Sequence, residues 1–284
     1  MKNAMKYLNR HNPLTETQTP EIETRYSKEN WCIVSCPETG MVYLKNPPDY
    51  DAFEEDYAWE KQFAEQKQRR KEDEPVFSAI SDMMKKLRTR YRKRESIERE
   101  SEKLILELEK YGEPLSIIDI GCGVGTKLQR ICHYMKEQYD IDTKPIGIEI
   151  SVAQAEQANT ELEKVNGYCI QNNAIDGLAS VEENSLDLII LCSFLEHEMN
   201  PMPLLRNCKK KLKKHGLVLI KVPNYACQNR KFRQEKWCGF RYPDHVNYYT
   251  PDTLNRSITR AGLTVRKLKA QPFNDNMWAV ASLP

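Results

Sequence analysis

The chain has 284 residues, of which 40% are hydrophobic and 30% are charged, and its formal net charge is +2. This size and apolar content predict a globular protein with one large α/β domain and an appendage. The nearly balanced charge argues against a general affinity for nucleic acid or acidic membranes, so any such partner must be bound by a local patch.

Nine cysteines are scattered along the chain, several of them in apolar runs. An odd number of dispersed cysteines predicts a reducing, cytoplasmic location. The longest apolar run, LDLIILCSFL, is too short to cross a bilayer, and the first residues contain no apolar signal segment. We therefore expect no membrane span.

The chain before the first buried strand divides into two segments. Residues 1–58 are rich in Pro, Thr, Asn and Tyr and contain one β-like run, GMVYLKNPP, which predicts an irregular segment with a short β hairpin. Residues 59–112 have almost no glycine and many charges, with apolar residues at helical spacing towards the end. This second segment is predicted to be a charged helical lid.

The sharpest local charge is KKLRTRYRKR, residues 85–94, with seven basic residues in ten. One interpretation is a binding site for phosphates, whether of a nucleotide-linked sugar, an RNA backbone or an acidic lipid surface. The other is a solvated helix face whose charge is balanced by the glutamates that follow it. Both interpretations stay open at this point.

From residue 113 onward, apolar runs alternate with helical patterns. The runs are LSIIDI, KPIGIEI, GYCIQ, SLDLIIL, HGLVLIKV, GLTVRKLK and NMWAVASL. Such alternation predicts an α/β fold, here a Rossmann-like seven-stranded sheet with helices on both faces. The loop between the last two runs is too short for a crossover helix, so the sheet should be mostly parallel with an antiparallel last strand.

A glycine-rich turn, DIGCGVG, leaves the first strand of this sheet. Such a turn lets a ligand approach the backbone, and the next helix offers its N-terminal N–H groups. The glycines do not match the G-x-G-x-x-G pattern of dinucleotide enzymes, because Thr126 occupies the third glycine position. Asp119, just before Gly121, would repel a pyrophosphate and attract a cation. The turn therefore favours a zwitterionic cofactor without phosphate over NAD.

Glu149 ends the second strand, where a carboxylate can accept hydrogen bonds from both hydroxyls of a ribose. The glycine-rich turn, this acid and the strand series together resemble the seven-stranded, class I S-adenosylmethionine (SAM)-dependent methyltransferases across roughly residues 113–284. SAM is the cofactor that this resemblance implies. It also implies the residues that line the cofactor: at the methionine end Asp119, Gly121, Gly123 and Gly125; at the ribose Glu149; at the adenine Asn173 and Ala174; and after strand four Leu191 and Cys192.

A long aromatic and arginine-rich insertion follows the fifth strand, where loops of this fold carry substrate contacts. Within it, RYPDHVNYYT is similar to a segment of sugar C-methyltransferases. By this resemblance the candidate catalytic residues are His245, Tyr242 and Tyr248, with His245 as the base because imidazole titrates near neutrality. The alternative is that His245 only anchors the loop.

No metal site is predicted. Cys32 and Cys36 lie in a segment that resembles the N-terminal cysteine knuckle of some methyltransferases, but no second close cysteine pair completes a zinc site. Glu196, His197 and Glu198 are metal-ligand types as well, yet a similar Leu-Glu-His follows strand four in related methyltransferases. We interpret these three as a loop and cap before a helix.

The sequence thus predicts a SAM-dependent methyltransferase that acts by in-line methyl transfer, with no metal and no covalent intermediate. The predicted acceptor is a small molecule, namely a sugar, a nucleotide-linked sugar or the end of a glycan. An RNA methyltransferase that grips its substrate with residues 85–94 is the alternative, and a non-catalytic SAM-binding partner subunit is a third. The sequence leaves the oligomeric state open.

Overall fold

The computed structural model describes residues 7–28, 30–48, 96–112 and 114–284. The predicted helical lid is therefore described only from residue 96 onward, and the basic cluster 85–94 lies outside the described residues. None of the helices in the described ranges is both long and apolar enough to cross a bilayer.

Seven strands form the main sheet. In chain order they are β4 (Leu115–Ile120), β5 (Thr143–Glu149), β6 (Tyr168–Gln171), β7 (Leu186–Cys192), β8 (Leu212–Pro223), β10 (Thr264–Ala270) and β11 (Asn276–Ser282). Their order across the sheet is β10-β11-β8-β7-β4-β5-β6. Strands β4 to β8 pair in parallel, and β11 runs antiparallel to both β8 and β10. The predicted fold class is confirmed, including the antiparallel last strand.

Helices cover both faces of this sheet. They are α1 (Ser96–Leu108), α2 (Thr126–Tyr139), α3 (Val152–Glu163), α4 (Ala174–Ser180), α5 (Pro201–Lys211), α6 (Gln228–Arg233) and α7 (Pro251–Arg260). Successive strand residues point to opposite faces, so Ile117 packs with α1, α2 and α3 while Ile118 packs with α4, α5 and α7. Burial on both faces explains why the central strands are uninterrupted apolar runs.

A second, small sheet joins the start of the chain to the insertion after β8. Its strands are β1 (Ile22–Glu23), β2 (Ile33–Ser35), β3 (Val42–Leu44) and β9 (Asn247–Tyr248), all antiparallel in that order. The predicted hairpin is β2 and β3, whereas its pairing with β9 was not predicted. Aromatic and apolar side chains from both segments form a separate core beneath this sheet, including Trp237, Phe240 and Tyr248.

Candidate active site

The glycine-rich turn lies where the parallel strand β4 meets α2, at the carboxyl edge of the main sheet. Gly121 has a φ of +72°, and a side chain there would collide with the ring of Phe194, because an added Cβ would lie 2.4 Å from Phe194 Cδ2. Gly125, with a φ of +76°, brings α2 against α3, since its Cβ would lie 3.0 Å from Ala158 Cα. Only glycine therefore fits these two positions.

Glu149 closes the other side of this turn. Its Oε2 accepts from the Gly123 N–H at 2.9 Å, and its Oε1 accepts from the Ser151 N–H at 3.0 Å. A carboxylate has about four acceptor sites, so each oxygen keeps capacity for a further donor. Glu149, which is predicted to bind the ribose, is thus already held by backbone N–H groups. Each of its two carboxylate oxygens can still accept one further hydrogen bond.

Asp119 is 8% exposed at the end of β4. Burial raises the pKa of this carboxyl to about 7, Lys127 opposes the rise, and the nearby charge of Glu149 adds to it. Two carboxylates therefore share one region with little positive charge to balance them. A cationic ligand beside Asp119 would relieve this imbalance.

The remaining predicted cofactor residues lie along the same edge. The side chain of Asn173 caps α4 by accepting from the Asp176 N–H at 2.9 Å, and its amide nitrogen donates to the Asp176 carboxylate at 2.8 Å. Ala174 is buried at the first position of that helix. Leu191 is fully buried in the sheet core, and the half-buried Cys192 ends β7. The amide of Asn173 is therefore engaged in capping, which sequence reasoning did not anticipate.

Two loops at this edge are joined through Glu196. The loop after β7 turns at Ser193, and the carbonyl oxygen of Glu196 accepts from the N–H groups of Val246 and Asn247 at 2.9 and 3.0 Å. His197 Nδ1 lies 3.0 Å from the carbonyl oxygen of Asp244. The predicted catalytic segment is consequently attached to the loop that follows strand β7.

Arg10 holds both loops in place through hydrogen bonds, although nothing in the surrounding sequence marks it as a residue of the site. This buried guanidinium donates to the carbonyl oxygens of Met199 and Val246 and to the side-chain oxygen of Asn247. Asn247 in turn donates to the carbonyl oxygens of Leu195 and Glu198. The N-terminal segment therefore forms part of the structural support of the site.

His245 is 4% exposed and lies 4.7 Å, ring centre to ring centre, from His197. Its Nδ1 is 2.8 Å from the carbonyl oxygen of Gly239. One possible ligand atom from each of Glu196, His197 and His245 lies within 4.8 Å of the other two. Among the described residues this is the group of metal-ligand side chains that the fold assembles, and Cys32, Cys36 and Glu198 are not in it.

Burial governs ionisation in this group. It raises the pKa of Glu196 to about 7, against weaker effects of its backbone hydrogen bond, Lys221 and Arg241. It lowers the pKa of His197 to about 4, and the charge of Arg241 adds to this shift while the hydrogen bond to the Asp244 backbone opposes it. It also raises the pKa of Asp244 to about 6, while Arg241 opposes that rise. A neutral His197 imidazole therefore lies among carboxyl groups that ionise with difficulty.

The two predicted tyrosines lie in the aromatic core of the small sheet. The hydroxyl of Tyr242 donates to the carbonyl oxygen of Tyr26 at 2.6 Å, and its ring stacks parallel to Phe240 with 6.1 Å between centres. Tyr248 is 2% exposed, and burial raises its pKa well above the usual value. Their contacts join the N-terminal segment to the loop that carries His245.

A methyltransferase-domain family model matches residues 87–268, more than half of the chain. The chain belongs to the SAM-dependent methyltransferases. Its fold is similar to that of a SAM-dependent methyltransferase from Clostridium acetobutylicum, with a TM-score of 0.51 over 73% of this chain and 98% of that chain, at 11% identity. The predicted enzyme class and cofactor are confirmed.

Curated relatives share about a quarter of their residues with this chain. A ubiquinone biosynthesis O-methyltransferase of Cereibacter sphaeroides is 26% identical over 175 residues, which is 59% of this chain and 67% of that protein. One of the same name from Pelagibacter ubique is 23% identical over 176 residues, or 59% and 70% of the two chains. The chain thus spans about two thirds of the length of these relatives.

The residues at the carboxyl edge fit SAM. The carboxylate of Asp119 and the glycine-rich turn suit the ammonium and sulfonium charges of the methionine part, and Glu149 keeps acceptor positions for ribose hydroxyls. The adenine position predicted at Asn173 and Ala174 remains a prediction.

We expect replacement of Glu149 by Ala to weaken SAM binding by about 1–3 kcal/mol, because charged hydrogen bonds to the ribose are lost. Glu156, exposed on α3, offers a matched control, and Glu156→Ala should leave the affinity unchanged. Isothermal titration of both variants with SAM measures the difference. Equal affinity for Glu149→Ala and wild type would place this acid outside the cofactor site.

Proposed function

We propose that this enzyme transfers the methyl group of SAM to a hydroxyl oxygen of a small molecule. The observation that carries this proposal is the polar group of Glu196, His197 and His245, of which Glu196 and His245 are buried and His197 is partly exposed, in the loops that follow β7 and β8 at the carboxyl edge of the sheet. Both Asp119 and Glu196 raise the pKa of Cys192, as secondary effects after burial, so both acids lie in the vicinity of the end of β7.

His245 is the proposed catalytic residue, because it is the imidazole that the substrate-side insertion contributes to this group. SAM supplies a methyl group that its sulfonium already activates. The chain has to bring the acceptor oxygen into line with that methyl group and prepare the hydroxyl for attack. We propose that Tyr242 and Tyr248 contribute less, by supporting the loop through the packing described above.

The proposed acceptor class is a sugar hydroxyl, in a free sugar, a nucleotide-linked sugar or the end of a glycan. The similarity of residues 241–250 to a segment of sugar C-methyltransferases supports a sugar acceptor but not its accepting atom, and the names of the curated relatives support oxygen as that atom. Those names also support a second candidate, a hydroxylated compound of ubiquinone biosynthesis. An RNA acceptor would depend on residues 85–94, outside the described residues.

A competition between substrate pools tests the proposal. Purified enzyme is incubated with SAM labelled in its methyl group and with separate pools of sugars and nucleotide sugars, quinone-type phenols, and total RNA. Mass spectrometry should find the label on an oxygen of a compound from one of the first two pools. Label in RNA alone, or on carbon or nitrogen, would contradict O-methylation of a small molecule.

A further inference from the structure

Three side chains of the site form a donor set that the methyl-transfer reaction does not itself explain. Glu196, His197 and His245 come from two separate loops, yet each brings one ligand-type atom within 4.8 Å of the others. Two ligands of one zinc ion lie roughly 4 Å apart or less, given bonds of about 2.0–2.2 Å. Side-chain shifts of about 1 Å would therefore close the group around a cation.

The backbone fixes the tautomers of both imidazoles. A carbonyl oxygen can only accept, so the Nδ1 atoms of His197 and His245 must carry hydrogen in order to bond Asp244 O and Gly239 O. In the neutral rings the lone pair is then on Nε2. An Nδ1–H held by a backbone carbonyl is the usual outer arrangement of a metal-bound histidine, because it orients the ring and makes Nε2 more basic.

Glu196 supplies the negative charge. Its residue is 2% exposed, and its buried Oε2 has no hydrogen-bond partner among the described residues. Lys221 and Arg241 are close enough to favour its charge, but neither donates to Oε2, and Lys221 donates instead to the Ser193 hydroxyl. A buried carboxylate oxygen without a partner is costly and calls for a bound ligand.

We propose that Glu196, His197 and His245 bind a divalent transition-metal ion, with zinc as the best fit. Two imidazoles and one carboxylate suit zinc and disfavour magnesium and calcium, which prefer oxygen ligands. Three protein ligands leave a coordination position open, as in catalytic zinc sites.

The role of the ion rests on the proposed O-methyl transfer, whereas its binding does not. The open position suits the acceptor hydroxyl, whose pKa a coordinated cation lowers. The O–H bond then breaks with release of the proton to water, and the oxygen forms its bond to the methyl group as the sulfur–methyl bond breaks. His245 would act on the hydroxyl through the ion that it holds.

Binding of Co²⁺ tests the proposal, because this ion substitutes for zinc and reports its ligands by absorption. The full chain is treated with a chelator, dialysed and titrated with Co²⁺, then with competing Zn²⁺. We expect one equivalent bound with d–d bands and no thiolate charge-transfer band. Glu196→Gln and His245→Gln should each weaken binding about 100-fold or more, while SAM binding and near-UV circular dichroism confirm that both variants are folded.

Glu198→Gln is the matched control, since Glu198 is equally buried but accepts from the Asn200 N–H and lies outside the group. This variant should bind Co²⁺ like wild type. The proposal fails if wild type binds no stoichiometric ion, if binding survives both ligand variants, or if a thiolate band shows that cysteines hold the ion. Methyl transfer to a small-molecule hydroxyl by metal-free wild type would overturn the role of the ion while leaving the proposed function intact.

Discussion

Replacement of His245 by Gln is expected to lower turnover by about 10²–10⁴-fold while the affinity for SAM stays near that of wild type. Glutamine has a similar size and can still donate to the carbonyl oxygen of Gly239, so the loop should keep its conformation. Its amide cannot replace the imidazole as a base or as a metal ligand. Steady-state turnover with the acceptor that the competition between substrate pools identifies, and titration with SAM, measure both quantities.

His215 provides the control for this variant. It stacks on Tyr111 with 3.9 Å between ring centres, near the start of β8 and away from the carboxyl edge of the sheet. His215→Gln should keep full turnover. If His245→Gln lowered the melting temperature but left turnover per folded molecule unchanged, His245 would be a loop anchor and not a catalytic residue.

Replacement of Asp119 by Asn is expected to have opposite effects on stability and on cofactor binding. Without SAM the variant should be more stable than wild type at pH 8, by up to about 4 kcal/mol, because a buried charge is removed. Its affinity for SAM should fall by about 1.5–3 kcal/mol, since an ionised partner for the cofactor's positive charge is lost. Urea unfolding and SAM titration at pH 8 test the two statements.

The difference in unfolding free energy between Asp119→Asn and wild type should change with pH in one direction. Burial raises the pKa of Asp119 to about 7 in the folded protein, whereas the unfolded chain has the ordinary value of 3.8. Between these values the folded state binds more protons, so wild-type stability falls as pH rises. The advantage of Asp119→Asn should therefore be smallest near pH 4 and should grow until about pH 7.

An exposed carboxylate with the opposite shift is the control. Lys136 lowers the pKa of Asp140, which lies at the end of α2 with a φ of +56°, a conformation that Asn also tolerates. Asp140→Asn should give no stability gain as pH rises. A flat difference between wild type and Asp119→Asn from pH 4 to pH 8 would show that Asp119 is not desolvated in the folded state.

The main sheet could be predicted because each of its strands is marked by a short stretch of neighbouring residues. Each of the seven apolar runs is long enough to mark a strand, and the five residues 271–275 between β10 and β11 leave no room for a crossover helix. The small sheet could only be predicted in part. Its hairpin was evident, but β9 has two residues, and its pairing with β3 spans some 200 positions of the chain.

The grouping of the predicted cofactor residues at one edge of the sheet could be predicted for the same reason. Asp119 and Glu149 lie at the ends of β4 and β5, and the three glycines follow β4. Parallel strands bring their carboxyl ends to one edge, so the proximity of these residues follows from the strand order. The capping role of Asn173 was not predicted, because an N-cap side chain and a ligand-binding side chain look alike in a sequence.

The sequence by itself determined the fold class, the cofactor turn and the enzyme family, since these depend on periodicity and on glycines that follow a strand. Only the tertiary structure brought Glu196 and His197 together with His245, and only there does Arg10 hold the two loops that carry them. The physical reason is that these contacts join irregular loops about 50 to 240 residues apart. These contacts depend on hydrogen bonds to backbone carbonyl oxygens. Every residue has such a carbonyl, so the order of side chains along the chain does not show where these bonds form.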